Sequence, residues 1–361
     1  MPRLLCTTAA ATHFDTFLDL LPATDDPALR SPSADGRTLS HRELRRFVEE
    51  QELASFGIAQ GDRVCAVLNN GPACALAFLA LCRSCAWAPL NIALTSEELA
   101  FEFEDLPAKA LIVQPEVSDV KVALRVAAEM NIPTIELHSS HAGLGCFTLQ
   151  WLGSSPSLPP VPRAAPSRGD VCLVIHTSGT TAKPKIVPLN HENLAVGALC
   201  IKSTLDLPRT AHNLNIMPLF HIHGISINLL ASLLSGASIT PTPGLGDGSS
   251  FVRWILSGPQ PVTWFSCVPT LHALILKIMC ADVCSSQGCE HPPHEVADIV
   301  RLTVLPPSLV TPALPRVAVR APPNSMATRY VSVAPRAPRC RCRWRGVSRR
   351  RSAASSLRRM R

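Results

Sequence analysis

Apolar residues recur at helical spacing in "TLSHRELRRFVEEQELASFGI", where Leu44, Phe47 and Val48 share one face. Ser40 precedes Glu43 by three residues, the spacing of a capping box, and Gly57 is placed to close the helix. The pattern then changes to short apolar runs bounded by turn residues. "RVCAVLN" reads as a buried strand, followed by a helix at "ACALAFLALCRS" and a strand at "AWAPL". A helix capped by Thr95 and Glu98, a strand at "KALIVQ", a helix over Val117 to Met130 and a strand at "PTIEL" continue the series. Strands alternating with helices predict a largely parallel sheet covered on both faces.

Residues 153 to 168 hold five prolines and four serines, a linker or surface-loop composition. The alternation restarts at "DVCLVIHTSGTT" with a strand and a loop. A helix from Asn193, a strand "NLNIMP", a helix near Ile225 to Leu234 and a strand "ASIT" come next. A helix near Phe251, a strand "VTWFS" and a helix from Thr270 complete the run. The predicted fold class is α/β: two αβαβα-type lobes with largely parallel sheets. The expected division is a first lobe over 1–150, a linker over 151–170, a second lobe over 171–298, and a tail over 299–361.

Charge alters the picture of the tail alone. The 361-residue chain has a net charge of +7, but residues 299–361 contain fifteen arginines and no Lys, Asp or Glu. The preceding 298 residues carry 19 basic against 27 acidic side chains, a net of −8. The tail reads as a solvated, unfolded segment. Electrostatic binding of nucleic acid is the lesser reading, since only Tyr330 and Trp344 are there to stack on bases. With 47% hydrophobic and 17% charged residues, the rest is expected to fold around buried cores.

Fourteen scattered cysteines suggest free thiols in a reducing compartment, with the cytoplasm the default location. The pair Cys82 and Cys85 has redox-motif spacing but lies among Ala and Leu, which favours packing. Cys280, Cys284, Cys289, His291 and His294 have spacings that zinc accepts, although a surface loop with incidental thiols is the preferred reading. The stretch Val64 to Cys82 approaches membrane length, yet Asn69, Asn70, Gly71 and Pro72 interrupt it, so no membrane span is expected.

The loop in "HTSGTTAKPKIVPLNH" follows a buried strand. Small and hydroxyl residues let backbone N–H groups and Oγ atoms converge on an anion, and a nearby ammonium neutralises it. The string "TSGTTAKPKIV" resembles the T-S-G-T-T-G-x-P-K-G-V signature of the adenylate-forming superfamily, which includes acyl-CoA synthetases, aryl-CoA ligases, luciferases and peptide-synthetase adenylation domains. Further resemblances follow in order at "GDRVCAVLNN", "APLNIALTSEEL", "PLFHIHGI" and "TWFSCVPTLHALIL", and the last two are most similar to the oxalyl-CoA synthetase and peroxisomal CoA synthetase branch.

The resemblance implies a ligase that converts a carboxylic acid and ATP to an acyl adenylate and then, with coenzyme A, to a thioester, with Mg2+ on the phosphates. It implies that Thr177, Ser178, Gly179, Thr180 and Thr181 cradle the β- and γ-phosphates and that Lys185 contacts phosphate as a catalytic residue; Lys183 falls on a variable position. His221, assigned a catalytic role, and His223 would lie near the acyl site, with Val268, Pro269, Thr270 and His272 lining the acyl and adenine region. A bland reading of each histidine, a hydrogen-bonded core residue or a helix cap, stays open.

Ala182 and Ile186 stand where the family has glycine, which would strain the backbone if either position needs positive φ. The family's Tyr-Gly-x-Thr-Glu and Thr-Gly-Asp motifs are not found, and the last lysine is Lys277, whereas relatives carry a catalytic lysine in a small C-terminal lid. The chain is therefore expected to be the N-terminal domain of such an enzyme, truncated before the lid. The alternative to a working ligase is a catalytically inactive remnant of the same fold with weak nucleotide binding.

Overall fold

A computed structural model describes residues 13–33, 35–116, 120–153, 158–177, 184–246, 248, 250–251, 254–255, 261–275 and 277–278. The tail over 299–361 and the Cys280 to His294 group lie outside the described residues.

Eleven strands form two sheets among the described residues. The larger contains β3 (Arg63–Val67), β4 (Ala86–Pro89), β5 (Ala110–Val113), β6 (Thr134–Ser139), β7 (Phe147–Trp151), β8 (Val171–Thr177) and β9 (Lys185–Asn190) in the order β7-β6-β5-β3-β4-β8-β9. Its five inner strands are parallel, and β7 and β9 close the edges antiparallel. The smaller contains β1 (Pro27–Arg30), β2 (Thr38–Ser40), β10 (His212–Asn215) and β11 (Ser238–Pro241) in the order β10-β11-β1-β2, with only β1 and β2 antiparallel. Strands from both sides of residues 151–170 share each sheet, so the Pro/Ser-rich stretch joins β7 to β8 within one sheet.

Successive side chains of a strand face opposite sides, and here both sides are dry. Val64, Ala66, Ala110 and Ile112 pack with the small sheet's Leu29 and Ile239 in one core. Cys65, Val67, Leu111 and Val113 pack in a second. Burial on both faces explains why these strands read as continuous apolar runs. Helix α1 (His41–Glu50), helix α2 (Pro72–Leu81) and helix α5 (His191–Leu205) contribute to the core between the sheets. Every residue of α2 from Cys74 to Leu81 is buried, as an evenly apolar helix requires. Helix α3 (Ser96–Asp105) and helix α4 (Lys121–Glu129) cover the large sheet's other face. Helical residues 250–251, 254–255 and 269–275 lie with a third core against the small sheet, giving layers in the order α, β, α, β, α.

The predicted capping boxes form. Ser40 Oγ accepts from Glu43 N and Glu43 Oε2 from Ser40 N, and Thr95 pairs likewise with Glu98. Helix α1 ends at Glu50, before Gly57, whose φ of +67° instead closes the short turn Ala54–Phe56. The apolar stretch Val64 to Cys82 divides into β3, a turn and α2, and no helix among the described residues is long and apolar enough to cross a membrane. Cys82 and Cys85 are fully buried, their thiols donate to the Leu79 and Leu81 carbonyls, and burial pushes both upward, so they pack rather than react.

Candidate functional site

Strand β8 carries the predicted phosphate loop on its carboxyl end, where ligands bind in open α/β sheets. Thr177 pairs with Lys185 across the β8–β9 ladder, and its Oγ1 donates to the Lys185 carbonyl at 3.5 Å. Both are exposed, and the lysine begins β9 with its side chain open to solvent. Ser178, Gly179, Thr180 and Thr181 of the predicted cradle, with Ala182 and Lys183, lie outside the described residues. Ile186 faces His176 in β9 and is not among the positive-φ positions, so its β-carbon is accommodated and the strain considered for it does not arise. Pro188 is tolerated because β9 is an edge strand.

His176, the last residue before the loop's Thr177, is clasped by α3. Its Nε2 is 2.8 Å from Asp105 Oδ2 and its Nδ1 2.5 Å from Glu102 Oε2. The second contact is a close approach without hydrogen-bond alignment. Burial raises the Glu102 carboxyl above the ordinary range; His176 opposes that shift, while Asp105 and Glu98 add to it. Glu102 occupies the inward stripe that Leu99, Phe103 and Leu106 define, and an acid at such a position was the available signal for this cluster.

A second group gathers between β10 and the segment 264–272. Asn70, just beyond β3, donates from Nδ2 to the carbonyls of Met217 at 3.2 Å and Thr242 at 2.7 Å, and its Oδ1 accepts from Leu219 N at 2.8 Å. This amide fixes the turn that leads into His221. With Trp87, Leu90, Leu219 and Phe220 it also lines a small cavity at the ends of β3 and β4. Gly224 follows in a π-helical stretch, His223–Leu230, and a β-carbon there would run into the Pro218 carbonyl.

His221 is exposed with its ring 4.7 Å from that of Phe220. His223 Nε2 lies 2.8 Å from Ser266 Oγ; Asn228 Nδ2 donates to the Ser266 carbonyl at 3.1 Å and to Asn215 Oδ1 at 2.8 Å. His272 is buried, stacked on Phe265, with Nδ1 2.9 Å from Cys267 Sγ. Burial lowers all three imidazoles, and His221 and His272 depress His223 further, which places the three within mutual electrostatic reach. The Cys267 thiol is pushed up to about 12 by burial, which leaves it no thiolate with which to attack. Val268 is half-buried and accepts from His272 N, and Pro269 and Thr270 are exposed on the turn into the helix. Among the predicted residues the structure thus forms two groups, Thr177 with Lys185 and the three histidines with Val268. Asn70, Ser266, Asn215 and Asn228 were not anticipated. The polar "NNG" that interrupts an apolar run was the only sign of Asn70.

Residues 22–321 match the AMP-binding enzyme family. The chain belongs to that family. The chain is 36% identical over 246 residues to a probable CoA ligase of Humulus lupulus, spanning 66% of this chain and 45% of that one. It is 33% identical over 255 residues to an oxalate–CoA ligase of Arabidopsis thaliana, spanning 69% and 49%. Its fold is similar to that of a long-chain-fatty-acid-CoA ligase of Archaeoglobus fulgidus, with a TM-score of 0.58, 20% identity, and 74% and 54% of the two chains covered. The chain spans about half the length of the curated relatives it matches. The matched span passes Asp298, where the composition changes.

Proposed function

We propose that the chain activates a small carboxylic acid with ATP and transfers the acyl group to coenzyme A. In this reading a carboxylate oxygen attacks the α-phosphorus, pyrophosphate leaves, and the coenzyme A thiolate then displaces AMP from the acyl carbon. The observation that carries it is the closure of a Ser/Gly/Thr segment by Thr177 and Lys185 at the carboxyl end of a parallel strand, in a chain of the AMP-binding family. Lys185 would neutralise phosphate charge as it shifts to the leaving pyrophosphate. His221 and His223, whose imidazole pKa values are lowered by partial desolvation, would orient the acid by hydrogen bonds. Mg2+ arriving with ATP would screen the phosphates. No group of three or more His, Cys, Asp or Glu among the described residues is arranged to hold a metal ion, so no protein ligand is assigned and no step depends on one.

Oxalate or another short dicarboxylate is the proposed acid, on the likeness to an oxalate–CoA ligase. A second reading is nucleotide binding without turnover. Exchange of labelled pyrophosphate into ATP, run with oxalate, malonate and a longer monocarboxylate, separates the two. Acid-dependent exchange that Lys185→Ala abolishes supports the ligase. A folded protein that binds ATP but exchanges no label supports the second.

A further inference from the structure

His223 and Asn228 stand five residues apart on the π-helical stretch His223–Leu230. On an α-helix, residues at that separation point about 140° apart. A π turn, closed by bonds between residues five apart, brings them toward one side. There both reach Ser266: His223 Nε2 lies 2.8 Å from its Oγ, and Asn228 Nδ2 donates to its carbonyl at 3.1 Å. Asn228 Nδ2 also donates to Asn215 Oδ1 at 2.8 Å, and the same oxygen accepts from Met217 N at 3.0 Å. Ser266 is thus held through its backbone, and its hydroxyl is what it offers to the ring. We propose that Ser266 is a positioning residue: its hydroxyl donates to His223 Nε2, holds the ring proton on Nδ1, and so leaves an N–H for a carboxylate of the acid. This rests on the ligase reading above.

Two arrangements of protons fit the 2.8 Å contact, because a neutral imidazole has one N–H and one acceptor nitrogen while a hydroxyl can donate or accept. With the proton on Nε2, the ring donates to Oγ, and the Ser266 hydroxyl proton then meets no acceptor among the described residues. Nδ1 would be an acceptor in that form and would repel a carboxylate oxygen. With the proton on Nδ1, Ser266 donates to Nε2 and its proton is satisfied. Nδ1 has no hydrogen bond to a described residue, so its N–H is kept for the acid. The bond made at one ring nitrogen decides the proton at the other.

The test uses the full chain with isotope-labelled histidine, observed by nitrogen NMR at a pH of about 8, above the ordinary imidazole value. The His223 signal is the one lost in His223→Gln. In free wild type it is expected to show the proton on Nδ1. Ser266→Ala should move the proton to Nε2, the form that histidine favours in water, and Ser266→Thr should keep it on Nδ1. In pyrophosphate exchange, Ser266→Ala is expected to raise the KM for oxalate about tenfold and leave that for ATP within about twofold, with Ser266→Thr restoring the oxalate value. A proton on Nε2 in wild type overturns the proposal whatever the exchange assay shows. Oxalate and ATP constants that rise together in Ser266→Ala overturn it too, since Ser266 would then serve structure alone, and so does an unchanged oxalate constant. Wild type that exchanges no label with any acid refutes the ligase reading and the carboxylate role with it, while the NMR result still decides the tautomer.

Discussion

Asn70→Asp is isosteric, yet it reverses the chemistry of one atom. Nδ2 donates to the Met217 and Thr242 carbonyls, and Oδ1 accepts from Leu219 N. An aspartate keeps the Leu219 bond and sets an anionic oxygen against two carbonyl oxygens. Two hydrogen bonds at about 1 kcal/mol each are lost, and facing unpaired acceptors in a half-buried site adds roughly 1–3 kcal/mol, a total of about 3–5 kcal/mol. Asn70→Ala loses all three bonds, about 3 kcal/mol, but introduces no charge and admits water. The order of stability is therefore wild type, then Ala, then Asp at neutral pH and above. Urea unfolding of the three proteins measures it. The introduced carboxyl is disfavoured as an anion in the fold, so its folded pKa lies above the unfolded value. The deficit of Asn70→Asp should then shrink as pH falls from about 8 to about 5, where the acid protonates and donates again to one carbonyl. An Asp variant as stable as the Ala variant at the higher pH refutes the clamp.

Ser40→Ala and Thr95→Ala should each cost about 1 kcal/mol in denaturant unfolding, and the double variant their sum, because the caps serve separate helices. Burial holds the His191 imidazole down at about 4 and His212 likewise, against an ordinary value of 6.5. The unfolded chain takes up these protons first, so stability should fall as pH drops from 6.5 toward 4. His191 alone would contribute roughly 3 kcal/mol, and His191→Gln should flatten the profile measured by urea titration. In native protein treated with iodoacetamide, peptide mapping should find Cys200 alkylated early, with Cys65, Cys74, Cys82, Cys85 and Cys172 protected until denaturant is added. Early labelling of the buried set would contradict their packing.

Local hydrogen bonds were legible where the partners are three residues apart, as in Ser40 with Glu43 and Thr95 with Glu98. The doubly buried strands β3 and β5 were legible because both their faces are apolar. Strand β9 was read as loop, since Pro184, Pro188 and polar neighbours mask an edge strand whose support comes from β8 alone. Four-residue β1 and three-residue β2 carry too little alternation to register, and nothing in β1 says that it pairs with β11. The same limit hid Asn70, whose partners lie 147 to 172 residues away. His221, His223 and Lys185 were found through resemblance, and their surroundings through the structure. Ser266 and Asn228 acquire meaning only when the fold brings them to His223 and to each other.

The chain's interleaved path has a functional consequence. Asn70 follows the carboxyl end of β3 in the large sheet, while Met217 and Thr242 follow those of β10 and β11 in the small one. The amide therefore ties together the ends at which both sheets present loops. Thr177 lies at the corresponding end of β8, joined to β3 through β4 by parallel pairing. The residues proposed to contact phosphate thus belong to the large sheet, and the histidine group to segments that leave the small one. Under the proposed function, exchanging His221 or His223 should change which acid supports pyrophosphate exchange while ATP binding stays near wild type. Altering Asn70, which spans the seam, should change both. A His223 variant that loses ATP and acid together would show that the two groups act as one site.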